Sequence, residues 1–295
     1  MTRWLFELKK GFSMTPFQLY ILAEEPESRH ALHNYPLDAL FENSRTLFLA
    51  TIRYIMDLHY ILIPLVEGYV QYVLNQTEKD RKQMSLESRQ QLFELVQGLF
   101  EQQYIADDSI SDDAIRSNFQ RIRHAFSTAM ALPLFIREMT FVYLIAKFED
   151  FISKQFRIVF TRIPKILKTK EKSVAYNRLF DASNPDDLKD DIIEQEIRKI
   201  MMKDIDEIRK DLKHFLNIDL KLDTDNWNAL RECFQRRNIL LHNNGKINLV
   251  YRQKTGYDGT QEYLSVDKEY LTNVIKLFEE CCKRITDRLL QNFSK

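Results

Sequence analysis

Glycine is scarce, with six residues in a chain of 295, at positions 11, 68, 98, 245, 256 and 259. None of them builds a G-x-G-x-x-G turn or a Walker loop, so the phosphate cradles of dinucleotide and nucleoside-triphosphate folds are excluded. Proline occurs seven times and cysteine three times. Cys233, Cys281 and Cys282 make no C-x-x-C pair, and the adjacent Cys281 and Cys282 would need strained geometry to bridge each other. Reduced thiols in a cytoplasmic protein are therefore expected. A charge of one sign is lacking too: 43 Lys and Arg offset 43 Asp and Glu. That balance argues against a protein that coats nucleic acid indiscriminately, while leaving room for local patches. The longest uncharged stretch, Gly11 to Ala23, is 13 residues and contains Pro16. It is too short to span a bilayer, so no membrane association is expected. An opening apolar run that breaks at Glu7 gives no secretory signal.

What the chain does have is core. Hydrophobic residues make up 44% and aromatics 12%, which excludes wholesale disorder and suits one large domain or two modest ones. From Pro36 onward the apolar residues recur every three or four positions: Leu40, Phe41, Ser44, Leu47, Phe48, Thr51, Ile52 and Ile55. Pro64 is expected to kink or end that helix, and Pro133 to break a later one that begins near Asp112 with Ser111 as cap. A helix is expected over 85–104, and one amphipathic helix over 187–215. Another, capped by Thr224 or Asp225, should end at Leu241. Residues 246–266 are expected as a hairpin or long loop before a last helix capped by Asp267. The fold class is all-α. The domains are 1–110, a helical region of unknown role, and 111–295, a helical bundle.

Few residues offer metal chemistry. There is no H-E-x-x-H, and His30 and His33 beside Glu24, Glu25 and Glu27 have no second half. No metal or cofactor is expected. A basic run, 153–172, carries Lys154, Arg157, Arg162 and Lys165 among seven basic residues against Glu171 alone. Solvated helix faces explain such a run, but it would also suit RNA phosphates. An acidic run at 186–196 has the opposite sign.

The sharpest feature is Arg236-Arg237-Asn238-Ile239-Leu240-Leu241-His242-Asn243-Asn244-Gly245. An Arg-x4-His spacing is common by chance. Here it occupies the last turns of a helix, above an apolar platform and before a glycine that suits left-handed geometry. Five helical positions place Arg237 and His242 about 140° apart, whereas Asn238 and His242 share a face. Arg237 must reach around, the last turn must deform, or a second copy completes the site. A capped helix end with a surface arginine is the competing reading.

ArgAsnIleLeuLeuHisAsnAsnGly resembles the Arg-Asn-x3-His motif of the HEPN superfamily of small α-helical domains. The glycine, the loop and the acid-capped helix that follow fit as well, and TyrLeuIleAlaLysPheGluAspPhe (143–151) is similar to the family's earlier core helix. The resemblance covers residues 115–295. It implies a four- or five-helix bundle that forms a homodimer through its motif helices. It also implies a metal-independent endoribonuclease of toxin–antitoxin, abortive-infection or other antiviral systems, acting on RNA such as tRNA. Arg237 would hold the scissile phosphate and His242 would move protons. Asn238 would support them, and Glu149 would orient the pair, with Glu138 and Asp150 as competitors. Arg236 and the basic run would bind RNA. Members regulated by tyrosine modification carry Tyr two positions after the His; Asn244 stands there in this chain. A non-catalytic module that binds RNA or a protein partner, such as an antitoxin, is the alternative. A small-ligand sensor, with the N-terminal region sensing a phage or nucleotide signal, is a third.

Overall fold

A computed structural model describes residues 35–100, 110–169 and 184–293. Two long helices come first: α1 spans Leu37–Gln83 and α3 spans Asp113–Arg162, with α2 at Leu86–Phe100 between them. Neither Pro64 nor Pro133 interrupts its helix. Each proline costs about 3 kcal/mol within a helix; Pro64 stands among the exposed Ile61, Leu62 and Leu65, so local burial does not offset that cost there. The cap of α3 is Asp112, whose carboxylate accepts from the backbone N–H groups of Ala114 and Ile115. Ser111 does not fill that role.

A 3-10 turn at Pro164–Thr169 closes this part of the chain. The expected single helix over 187–215 is two: α4 at Pro185–Met201 and α5 at Ile205–Leu216. Asp204 separates them, because its extended backbone and its bond from Glu207 N start a new helix. Helix α6, Thr224–Asn243, is capped by Asp223 and carries the Arg-x4-His spacing. In place of a hairpin, residues 246–266 hold a short helix, α7 at Leu249–Thr255, and a single antiparallel bridge from Lys246 to Tyr263. Asn248 makes the difference, accepting from Tyr251 N to start α7. Helix α8, Lys268–Phe293, begins where Asp267 accepts from Tyr270 N, as expected. Among the described residues there is no strand, and the fold is all-α.

The chain forms two compact units. The first holds the described residues up to Ile55 and those from Phe141 on; the second runs Met56–Thr140. Aromatic rings fill the first core. Phe148 of α3 stacks on Phe278 of α8 with centroids 4.4 Å apart, and Phe48 of α1 lies 5.1 Å from Phe151. Beside them the buried Gln155 donates from Nε2 to Ser44 Oγ at 2.7 Å, a polar tie between α3 and α1. In the second unit Leu92, Ile110, Ile115 and Phe119 pack together, and Arg121 pairs with Asp80 at 2.9 Å.

Helices α1 and α3 each contain an 18-residue window, of mean hydropathy 1.4 and 1.5, that is long and apolar enough to cross a membrane, and 19% of each window is buried. Phe148 is the ring on which three others converge. Its replacement by Ala should cost about 3–5 kcal/mol in chemical denaturation, whereas Phe93→Ala, at an exposed position, should stay within about 0.5 kcal/mol.

Candidate functional site

Helix α6 anchors itself with one face and presents chemistry with the others. Trp227, Leu230, Cys233, Phe234 and Ile239 are buried. Burial pushes the Cys233 thiol up to about 12, which makes it an inert packing group. The helix ends where Asn244 turns left-handed at φ 48° and its N–H bonds to Ile239 O. Gly245 follows at φ 78°, and a Cβ there would stand 3.0 Å from Leu264 O. Leu264 N bonds back to Gly245 O at 2.8 Å, so the glycine is needed both for its dihedral angle and for this close approach.

One side of the motif is clamped by Glu232. Its Oε1 accepts from Arg236 Nε at 2.7 Å and from the Tyr251 hydroxyl at 2.5 Å, and its Oε2 accepts from the Tyr270 hydroxyl at 2.6 Å. The Arg236 guanidinium lies 3.9 Å over the Tyr270 ring and donates to Ser265 O. Burial drives the Tyr270 hydroxyl far above its ordinary value, and it stays protonated to donate to Glu232. This cluster joins α6, α7 and α8. Arg236, expected to bind RNA, is engaged inside it. The four-residue spacing of Glu232 and Arg236 signals their pairing in sequence; Tyr251 and Tyr270 carry no such signal.

On the next face Arg237 donates from Nη2 to Glu149 Oε1 of α3 at 2.6 Å. Each side chain is 25% exposed. Arg237 Nε is buried and has no hydrogen-bond partner. Of the three acidic candidates, Glu149 is the one bonded to Arg237; Asp150 pairs with Lys154 at 3.3 Å, and Glu138 lies in the second unit. The Glu149 carboxyl sits above its ordinary value because burial penalises its charge more than Arg237 relieves it.

His242 is exposed on the last turn of α6, with Asn238 exposed one turn before it. Among the described residues no bond joins Arg237 to His242 within the chain. Within the basic run Lys154 pairs with Asp150, Arg157 makes a two-pronged pair with Glu194 of the acidic run, and Arg162 donates to Tyr35 O at 2.8 Å. Lys165 is exposed. Arg157 lies eight residues beyond Glu149, about 12 Å along the helix. Among the described residues no group of three or more His, Cys, Asp or Glu gathers to hold a metal ion. The His30–His33 cluster lies outside the described residues.

Comparison with protein-family models, curated proteins and solved structures finds no match to this chain. The site itself carries the functional reading.

Since Arg237 is what lowers the Glu149 pKa, Arg237→Ala should move the Glu149 midpoint further up, followed by carboxyl-carbon NMR. The folded value is raised, so this carboxyl contributes most to stability below its ordinary value of 4.5 and loses that contribution as pH rises through the folded value. Glu149→Gln should remove that part of the pH dependence, measured by denaturation at several pH values.

Proposed function

We propose that this protein is a metal-independent endoribonuclease of HEPN type, cutting RNA at a site built by two copies. The observation that carries the reading is Arg237, held by Glu149 at 2.6 Å while its buried Nε has no partner. The Arg237 side chain is 25% exposed, and a guanidinium held in one direction by a carboxylate can take a phosphate oxygen on the N–H groups that solvent reaches. An exposed histidine five residues on, at the end of the same helix, provides the titratable group.

In this mechanism Arg237 donates to a non-bridging oxygen and stabilises the charge that develops on phosphorus. The ribose 2′-hydroxyl attacks phosphorus, forming a 2′,3′-cyclic phosphate as the P–O5′ bond breaks. His242 moves the proton, either taking it from the 2′-hydroxyl or giving one to the departing 5′-oxygen. Asn238 steadies the phosphate, and Glu149 fixes the guanidinium direction. Because no bond links Arg237 to His242 within one chain, the pair is completed by a second copy across a twofold axis. The cellular role that fits is a cytoplasmic toxin or antiviral effector acting on RNA, tRNA among its targets, and restrained by an antitoxin or regulatory protein. With Asn244 two positions past His242, that restraint would not be tyrosine modification.

A non-catalytic module that binds RNA or a protein partner is favoured by one feature, the separation of His242 from Arg237. Arg237→Ala and His242→Ala should each lower RNA cleavage in EDTA by about 100-fold or more, with helical content retained in both. Melting should be unchanged for His242→Ala, at an exposed position, and lower for Arg237→Ala, which leaves Glu149 buried without its partner. Cleavage that survives both changes refutes the nuclease; RNA retained and never cut supports the binding module.

A further inference from the structure

After α6 ends, the chain comes back to lie against its last turn. Leu264 N donates to Gly245 O and Ile247 N donates to Glu262 O, each at 2.8 Å. These two bonds flank the bridge between Lys246 and Tyr263, which makes that pair the narrow, non-hydrogen-bonded kind of antiparallel pair. Residues opposed in this way project from one face, with Cβ atoms about 4.5–5.5 Å apart. The backbone beneath them is fixed, because Leu264 and Val266 are buried and Arg236 donates to Ser265 O at 2.5 Å. On that fixed backbone Tyr263 is 57% exposed, and Lys246 is exposed as well. Among the described residues the Tyr263 ring stacks on no other ring and Lys246 forms no ion pair. Both stand beside the motif. Lys246 N donates to Asn243 O at 2.9 Å, a turn that keeps its Cα within about 7 Å of Asn243, the neighbour of His242.

We infer that Tyr263 and Lys246 form a nucleotide subsite beside His242, where an unpaired base stacks on the Tyr263 ring and Lys246 meets the neighbouring phosphate. The inference rests on the nuclease reading for where the scissile phosphate lies. In-line attack by a 2′-hydroxyl requires its nucleotide to leave the regular helical stack. An aromatic ring next to the site replaces the stacking which that base gives up. The ring is presented on rigid backbone, so little freedom is lost when a base lands on it. Lys246 supplies a compact charge that suits a phosphate without demanding one orientation. Arg236, the other cation at this edge, is already spent on Glu232, Ser265 O and the Tyr270 ring. A ring and an ammonium group read a base face and a charge, not the edges of a base. The subsite therefore selects unpaired over paired nucleotides and is tolerant of sequence. The substrate class it names is single-stranded RNA, including the loop of a folded RNA.

The experiment uses the full chain and a labelled, unstructured 2′-O-methyl oligonucleotide, which lacks the attacking hydroxyl and is bound without being cut. Its Kd, read by fluorescence anisotropy, is compared with that of the same strand annealed to its complement. The wild type should bind the single strand more tightly than the duplex. Tyr263→Ala should weaken single-strand binding about 5- to 150-fold, with duplex binding and helical content unchanged, and Tyr263→Phe should bind as the wild type does. Lys246→Ala should reduce the slope of log Kd against log salt by about 0.7. Tyr263→Ala binding at wild-type strength, Tyr263→Phe binding as weakly as Tyr263→Ala, or a duplex bound as tightly as the single strand would each overturn the subsite. Unmodified RNA in EDTA separates the two readings. Cleavage that Tyr263→Ala leaves at full rate overturns the subsite alone, whereas a Tyr263-dependent complex that is never cut overturns the nuclease and supports the subsite as an RNA-binding surface.

Discussion

The contact between Arg237 and Glu149 is the constraint around which the first unit is arranged. It is a poor source of stability. Both groups are three-quarters buried, and the Glu149 carboxyl remains above its ordinary value with a guanidinium 2.6 Å away, so desolvation outweighs attraction. What the contact supplies is direction. It joins α3 to α6 at the point where α6 is about to end, and holds one nitrogen of Arg237 while Nε is left without an acceptor.

The other face of the same turn is fixed by Glu232, so the two adjacent arginines are treated in opposite ways. Arg236 is used up inside the chain by a carboxylate, a carbonyl and an aromatic ring. Arg237 keeps part of its bonding capacity unspent. The core beneath them, where Phe148 packs on Phe278, sets the distance between α3 and α8, and Tyr270 carries that position back to Glu232. Site and core are one mechanical object here.

Much of this is visible in the residues. The three- and four-residue spacing gives the all-α class, Asp267 announces the last helix, and the Arg237–His242 spacing is readable in the residues, whereas Glu149 enters only through the resemblance, beside Glu138 and Asp150. The misses have physical causes. Pro64 and Pro133 lie inside helices, so a residue that a sequence pattern reads as a break does not end either one. Asp204 and Asn248 start new helices through single side-chain bonds to backbone N–H groups, a signal that many loop residues share. Tyr251 and Tyr270 reach Glu232 across 19 and 38 residues, which no local spacing reveals. The balanced charge of the chain also takes a concrete form, since Arg157 of the basic run meets Glu194 of the acidic one.

The proposed site needs no metal and uses the 2′-hydroxyl of RNA as its nucleophile, and these two features leave a chemical signature on the product. The most direct measurement is the structure of the RNA ends after digestion in EDTA, read by end-labelling and mass spectrometry. The account predicts a 2′,3′-cyclic phosphate on one fragment and a 5′-hydroxyl on the other. Fragments bearing a 3′-hydroxyl and a 5′-phosphate, or intact RNA under all conditions, would contradict it.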